Sequence, residues 1–184
     1  MQKETRPDAG IFVIFGGAGD LTWRKLVPAL YNLFLDHWLP EKFWVLGLDR
    51  AKMSNERFVK HLHEGVDGFS RRGQTRKEQW KAFSEHFAYM QADFSQAKTF
   101  AAIAEKLAQK EDQWGLKANR IFYMAVPPRM IETLSQGLAD VKLNRDRRYA
   151  RIVVEKPFGH DLDSARALNR SLGKLFDESQ IFRI

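Results

Sequence analysis

The sequence predicts an α/β protein, a doubly wound and mostly parallel sheet with helices on both faces. Three observations predict it. Short apolar runs recur along the chain, among them Ile11 to Phe15, Phe43 to Leu48, Ile121 to Val126 and Ile152 to Val154, and unbroken apolar runs suit strands covered on both sides, as parallel strands are. Between them lie segments whose apolar residues recur every three or four positions, the period of a helix packed on one face. The first run is followed by Gly16-Gly17-Ala18-Gly19, a turn of small residues ahead of a helix start, and strand, helix, strand in one direction implies a right-handed crossover.

The elements follow in order. Residues 1–10 are polar and are expected to fray. Ile11 to Phe15 reads as the first strand and Gly16 to Leu21 as the turn. Thr22 to Trp38 reads as a helix whose Leu26, Leu30, Leu33 and Phe34 form one apolar face, with Pro28 either kinking it or marking a restart. Leu39-Pro40-Glu41 closes that helix, and Phe43 to Arg50 is a second buried strand ending in charge. Ser54 is a cap candidate for a helix running toward Gly65, followed by a loop containing Gly68, Arg71, Arg72 and Gly73. A helix from Lys77 to His86, a strand from Phe87 to Asp93 and a helix through Phe100, Ile103, Ala104 and Leu107 come next. Arg120 to Val126 is the fourth strand, stopped by Pro127-Pro128; a helix near Ile131 to Leu138, a basic loop and the strand Arg151 to Glu155 follow. Asp161 or Asp163 caps a helix carrying Leu162, Ala165, Leu168, Leu172 and Leu175, and Gln180 to Ile184 begins one more strand.

Composition narrows the class. With 184 residues, 44% of them apolar and including 14 Phe and 5 Trp, the chain can bury a substantial core as one domain, residues 1–184. No apolar run approaches the roughly 18 residues that a membrane helix needs. The first ten residues carry Lys3, Glu4, Arg6 and Asp8 and no apolar signal core, so the expectation is a cytoplasmic protein without a membrane partner. The absence of cysteine excludes disulfides and thiolate chemistry. A net charge of +7 raises the question of nucleic acid, but the basic residues are dispersed, the densest groups being Arg71-Arg72 and Arg145 with Arg147-Arg148. No nucleic-acid partner is expected, and the excess positive charge would instead attract small phosphorylated molecules.

Ligands of doubly wound sheets bind beyond the carboxyl ends of the strands. Gly16 to Gly19, Asp49 with Arg50, Asp93, Pro127 and Lys156-Pro157 each end or follow a strand in this reading. Glycines allow close backbone approach, and a helix start presents unpaired N–H groups to an anion, so the first turn suits a pyrophosphate. The usual G-x-G-x-x-G fingerprint is not met, because counting from Gly17 the third glycine position falls on Thr22; a plain tight strand-to-helix connection therefore stays open beside a phosphate turn. His61 and His63 form an H-x-H pair, but on a helix their side chains diverge and no metal is expected there.

Three stretches together resemble the glucose-6-phosphate dehydrogenases. They are Gly16-Gly17-Ala18-Gly19-Asp20-Leu21 with Arg24-Lys25 shortly after, Arg120 to Pro128 (Arg-Ile-Phe-Tyr-Met-Ala-Val-Pro-Pro), and Glu155-Lys156-Pro157-Phe158-Gly159. The resemblance runs from Ile11 to Ile184 and implies a Rossmann-like coenzyme domain, cut just before the segment that binds the sugar phosphate in the family. It implies an oxidoreductase of glucose metabolism that oxidises glucose 6-phosphate to 6-phosphogluconolactone by hydride transfer to a nicotinamide, the first step of the pentose phosphate pathway. The general-base histidine and the main subunit contacts of the family's oligomers would lie in a second domain, so no catalytic residue falls within these 184. By the same resemblance Gly16, Gly17, Ala18, Gly19, Asp20 and Leu21 would bind the pyrophosphate and Arg50 the adenosine 2′-phosphate. Asp93, Phe94, Tyr123, Val126 and Pro127 would line the adenine and nicotinamide path. Lys156 would reach coenzyme and sugar, with the Lys156-Pro157 bond cis.

The bland readings are that Arg50 and Lys156 are ordinary surface cations and that Tyr123 only packs in the core. One position departs from the family's pattern. Where many relatives carry a small residue this chain has Asp49, and an acid at the end of the second strand is what NAD-binding sheets use to hold the ribose 2′-hydroxyl. Asp49 beside Arg50 therefore leaves the coenzyme preference open; the resemblance implies NADP, with NAD possible. A stand-alone nucleotide-binding or regulatory module without catalysis is the competing function.

Overall fold

The computed structural model describes residues 6–184. Six parallel strands make one sheet: β1 (Gly10–Phe15), β2 (Phe43–Asp49), β3 (Phe87–Gln91), β4 (Asn119–Met124), β5 (Ala150–Val154) and β6 (Ile181–Arg183). Their spatial order is β3-β2-β1-β4-β5-β6, with β1 paired to both β2 and β4. The direction of winding reverses between β1 and β4, and at that reversal the crossovers leave a crevice beyond the carboxyl ends of the strands.

Six α-helices cover the two faces: α1 (Val27–Leu35), α2 (Asn55–Phe69), α3 (Lys77–Ser84), α4 (Ala97–Trp114), α5 (Pro128–Asp140) and α6 (Leu162–Leu175). The period-2 alternation of β1 divides the core. Ile11, Val13 and Phe15 are fully buried against Phe100, Ile103, Leu134, Leu138 and Leu172 of α4, α5 and α6, while Ile14 joins Val27, Tyr31, Phe58, Leu62, Trp80 and Phe83 of α1, α2 and α3. Both faces being dry explains why the strands read as continuous apolar runs. Among the described residues no helix is long and apolar enough to cross a membrane.

Several elements differ from the sequence expectation. The first helical stretch is not one α-helix to Trp38. Thr22–Leu26 is π-helical, with the Val27 N–H donating to the Thr22 carbonyl, and α1 then runs only to Leu35. The helical backbone is continuous from Asp20 to Leu35, so Pro28 does not restart the helix; it sits in the first turn of α1, just past the π-helical residues. Helix α2 does not stop near Gly65 but continues to Phe69; Gly65 is a packing glycine, standing where α2 presses on the π-helical turn. A Cβ there would lie 2.4 Å from the Trp23 carbonyl oxygen and 2.5 Å from the Trp23 ring. Helix α5 begins at Pro128 rather than near Ile131, again with proline in the first turn. The strands β3 and β4 end two residues earlier than expected, so Ala92, Asp93, Ala125 and Val126 lie beyond the sheet. Of the stretch expected to fray, residues 1–5 lie outside the described residues, and Gly10 already pairs in β1.

Candidate functional site

The turn after β1 is held tightly by its own backbone. The N–H groups of Gly16 and Gly17 both donate to the Leu48 carbonyl at 2.9 Å, and Gly19 N–H donates to Gly16 O at 3.0 Å. Gly16 has φ of +84°, and a Cβ on it would fall 2.2 Å from the Ala125 carbonyl oxygen. Gly17 is pressed on β2, its missing Cβ lying 2.6 Å from Gly47 Cα and 2.8 Å from Leu48 N. These two glycines let the chain pass between neighbouring strand ends. Gly19 differs: a Cβ there meets only Gly16 O, at 3.1 Å, and otherwise faces open space. Ala18 N–H is also engaged, by Asp49 Oδ2 at 3.2 Å. Among the described residues the N–H groups of Asp20 and Leu21, which open the helical backbone, have no backbone acceptor, and unpaired donors at a helix start are what an anion would meet.

At the end of β2 three successive residues are tied down from β3. Tyr89 Oη donates to the carbonyl oxygens of Asp49 (3.2 Å) and Ala51, and Gln91 Nε2 donates to that of Arg50 (3.2 Å). Burial, with the charge of Asp49 added, pushes the Tyr89 hydroxyl up to about 12, so it remains a donor at neutral pH. Arg50 is exposed and lines a cavity of about 330 Å³ with Asp93, Phe94, Ser95, Arg129 and Met130. Phe94 is buried and tilts against Phe15 at 5.5 Å between ring centroids. The Asp93 carboxyl is held below its ordinary range by hydrogen bonds from the Ser95 hydroxyl and N–H.

A second cavity, of about 240 Å³, lies at the ends of β4 and β5, lined by Leu21, Val126, Pro127, Glu155, Lys156 and Pro157. The Lys156-Pro157 peptide is cis. Lys156 is exposed, and its N–H donates to the Ile184 carbonyl at 3.0 Å. Tyr123 does not line this cavity. Its hydroxyl donates to the carboxylate of Glu155, itself a lining residue, and burial followed by that carboxylate raises its pKa.

These features fit a dinucleotide. A cavity walled by Phe94 and Met130, with the Arg50 and Arg129 guanidiniums and the Asp93 carboxylate, suits a purine with a phosphate near it; an open helix start suits a pyrophosphate, and a small cavity with Val126, Pro127, the Lys156 amine and the Glu155 carboxylate suits the other ring. The turn lies between the two cavities, since Leu21 lines the second and Ala18 is bonded to the residue preceding Arg50 of the first.

Comparison with known proteins decides the family. Residues 13–184 match the family model described as "Glucose-6-phosphate dehydrogenase, NAD binding domain". The chain belongs to the glucose-6-phosphate dehydrogenase family. It is 34% identical over 174 residues to the glucose-6-phosphate 1-dehydrogenase of Leuconostoc mesenteroides, covering 95% of this chain and 35% of that protein. It is 38% identical over 175 residues to the one of Treponema pallidum, covering 95% and 34%. Among solved structures, a glucose-6-phosphate dehydrogenase in complex with glucose 6-phosphate superposes with a TM-score of 0.86 at 28% identity, over 98% of this chain and 37% of the other. The enzyme from Mycobacterium avium gives 0.83 at 27% identity, over 98% and 36%. The chain therefore spans about a third of the length of the relatives it matches.

Of the residues singled out from sequence, the fold gathers Gly16 to Leu21, Arg50, Asp93, Phe94, Val126, Pro127 and Lys156 at one edge of the sheet, with Tyr123 one layer behind. Sequence reasoning missed Arg129, Met130 and Glu155 as cavity residues. Arg129 directly follows Pro127-Pro128, and placing the helix start at the second proline would have pointed its first turn toward the strand ends. His61 and His63 do diverge: His61 stacks on Trp23 at 5.8 Å and His63 on Trp80 at 4.3 Å.

Proposed function

We propose that this chain is the coenzyme-binding part of an enzyme that oxidises glucose 6-phosphate at C1 by hydride transfer to NADP, with NAD also used. The observation that carries the reading is the convergence of the open helix start at Asp20-Leu21, the Arg50–Phe94–Arg129 cavity and Lys156 on one edge of the sheet, at the reversal of strand order. When bound, the nicotinamide supplies the hydride acceptor. The protein's own residues do the positioning. Asp20 and Leu21 N–H groups would receive the pyrophosphate and Gly19 would admit it, Arg50 would pair with the 2′-phosphate, Phe94 and Met130 would take the adenine, and Val126 and Pro127 would border the nicotinamide. Lys156 is proposed to bridge coenzyme and sugar phosphate as a charged donor.

These 184 residues alone are proposed to turn over no sugar phosphate, because no histidine lines either cavity and a tuned general base is required to take the C1 hydroxyl proton. A cytoplasmic address, assembly of the longer protein into homo-oligomers and the absence of nucleic-acid or membrane partners belong to the same reading. In its support, Arg71 and Arg72 pair with Asp36, and Arg147 pairs with Asp177, which offsets part of the charge of the two densest basic groups. Family membership speaks against a stand-alone regulatory module. Calorimetric titration of this chain with NADP, alongside a glucose 6-phosphate-dependent reduction assay, tests the reading. Saturable binding without turnover is expected; turnover by this chain, or no binding of either dinucleotide, would refute it.

A further inference from the structure

The end of β2 carries two opposed charges, and only one of them is free. Asp49 is held from three directions. Its Oδ2 accepts from Ala18 N–H at 3.2 Å, and its Oδ1 accepts from Arg50 N–H at 2.7 Å and Ala51 N–H at 3.4 Å. The hold depends on glycines. A Cβ on Gly17 would lie 2.6 Å from Gly47 Cα, so no side chain on the turn fits against β2 there, and this contact brings Ala18 N–H within reach of Asp49. The backbone on either side of Arg50 is fixed by Tyr89 and Gln91, so the carboxylate cannot swing away by moving its loop. Arg50, by contrast, is exposed and lines the cavity.

We infer that Asp49 is a specificity-determining residue for the coenzyme, its carboxylate fixed beside the adenosine ribose site so that it repels a 2′-phosphate and accepts a hydrogen bond from a 2′-hydroxyl. The inference rests on the reading that the cavity takes a nicotinamide dinucleotide. A free arginine at this place favours NADP by a charge-assisted, bidentate pair. A carboxylate held close to that site opposes the same phosphate and provides NAD with an acceptor it would otherwise lack. The held carboxylate cannot swing away from the free arginine, so neither preference is complete and the chain takes both coenzymes.

The test is a calorimetric titration of NADP and NAD, and of 2′,5′-ADP and ADP as probes of the adenosine half alone, against the wild-type chain and three variants. Wild type is expected to bind the two dinucleotides within about tenfold of each other. Asp49→Asn keeps an acceptor toward the backbone N–H groups but loses the charge, and should raise the NADP to NAD affinity ratio by about tenfold, with 2′,5′-ADP gaining in parallel. Asp49→Ala should move the ratio the same way, and Arg50→Ala should invert it. Thermal melts identify any variant that fails to fold, and the two Asp49 variants back each other up. Wild type and both Asp49 variants sharing one ratio would overturn the inference while leaving coenzyme binding intact. Failure of wild type to bind any of the four probes would overturn the underlying reading and this inference with it.

Discussion

Replacing Gly17 and Gly19 separately should separate folding from binding, although both stand in one small turn. In Gly17→Ala the new Cβ would sit 2.6 Å from Gly47 Cα, 2.8 Å from Leu48 N and 2.9 Å from Gly47 C. All three are backbone atoms of a central strand, so no side chain can rotate aside. Overpacking a rigid core typically costs about 1–3 kcal/mol, and backbone contacts on this scale belong at the upper end. For a domain of this size about 3 kcal/mol corresponds to a melting temperature lower by roughly 6–12 °C. In Gly19→Ala the Cβ meets only Gly16 O at 3.1 Å, so stability should stay within about 0.5 kcal/mol. Gly19→Val, however, fills the open side of the turn where a pyrophosphate would approach, and should weaken dinucleotide binding by about tenfold or more. Differential scanning fluorimetry and calorimetry on the three variants provide the assay. A Gly17→Ala protein that melts with wild type, or a Gly19→Val protein that binds coenzyme unchanged, would refute the assignment of these glycines.

Other parts of the structure make independent predictions. In the longer enzyme, Lys156→Ala should lower catalytic efficiency far more than stability, since an exposed cation contributes about 0–1 kcal/mol at most to folding; a melting shift with normal kinetics would reverse that role. Glu111 joins Arg120 at 2.6 Å and accepts from Ala118 N–H, both side chains being largely buried, so Glu111→Ala should destabilise by about 3 kcal/mol in chemical denaturation through the charge it strands. His86 stacks on Phe43 at 3.8 Å, and burial lowers its pKa from 6.5. The folded state thus prefers the neutral ring, so its contribution to stability is present above about pH 6.5 and is lost as pH falls from there through the folded value. Denaturation midpoints between pH 5 and 7 should fall less steeply in His86→Gln than in wild type, and identical slopes would count against it.

Much of this architecture was legible because parallel strands buried on both faces leave an unmistakable trace, as at Ile11 to Phe15 and Phe43 to Leu48. Positions at strand ends were legible too, since Arg50 and Lys156 each stand one acidic residue past an apolar run. What stayed hidden depends on register between distant segments. Gly17 and Gly47 are a contact pair only because β1 and β2 align Ile14 with Gly47, and nothing local marks either glycine as a packing residue. The hold on Asp49 follows from that alignment. The π-helical turn at Thr22–Leu26 is a tertiary effect as well, set where Gly65 of α2 closes on Trp23. The family resemblance gives Tyr123 a place on the coenzyme path, but no local pattern marks the Glu155 carboxylate that its hydroxyl bonds.

Hydrogen exchange measured by mass spectrometry, with and without saturating NADP, tests the central claim that the carboxyl edge of the sheet is the coenzyme site. The account predicts slower exchange in the segments containing Asp20-Leu21, Arg50, Asp93-Phe94 and Val126 to Arg129. It predicts no change at the opposite end of the strands, around Lys42, Gly115 and Asn144. Protection confined to that opposite end, or absent everywhere at saturating coenzyme, would contradict it.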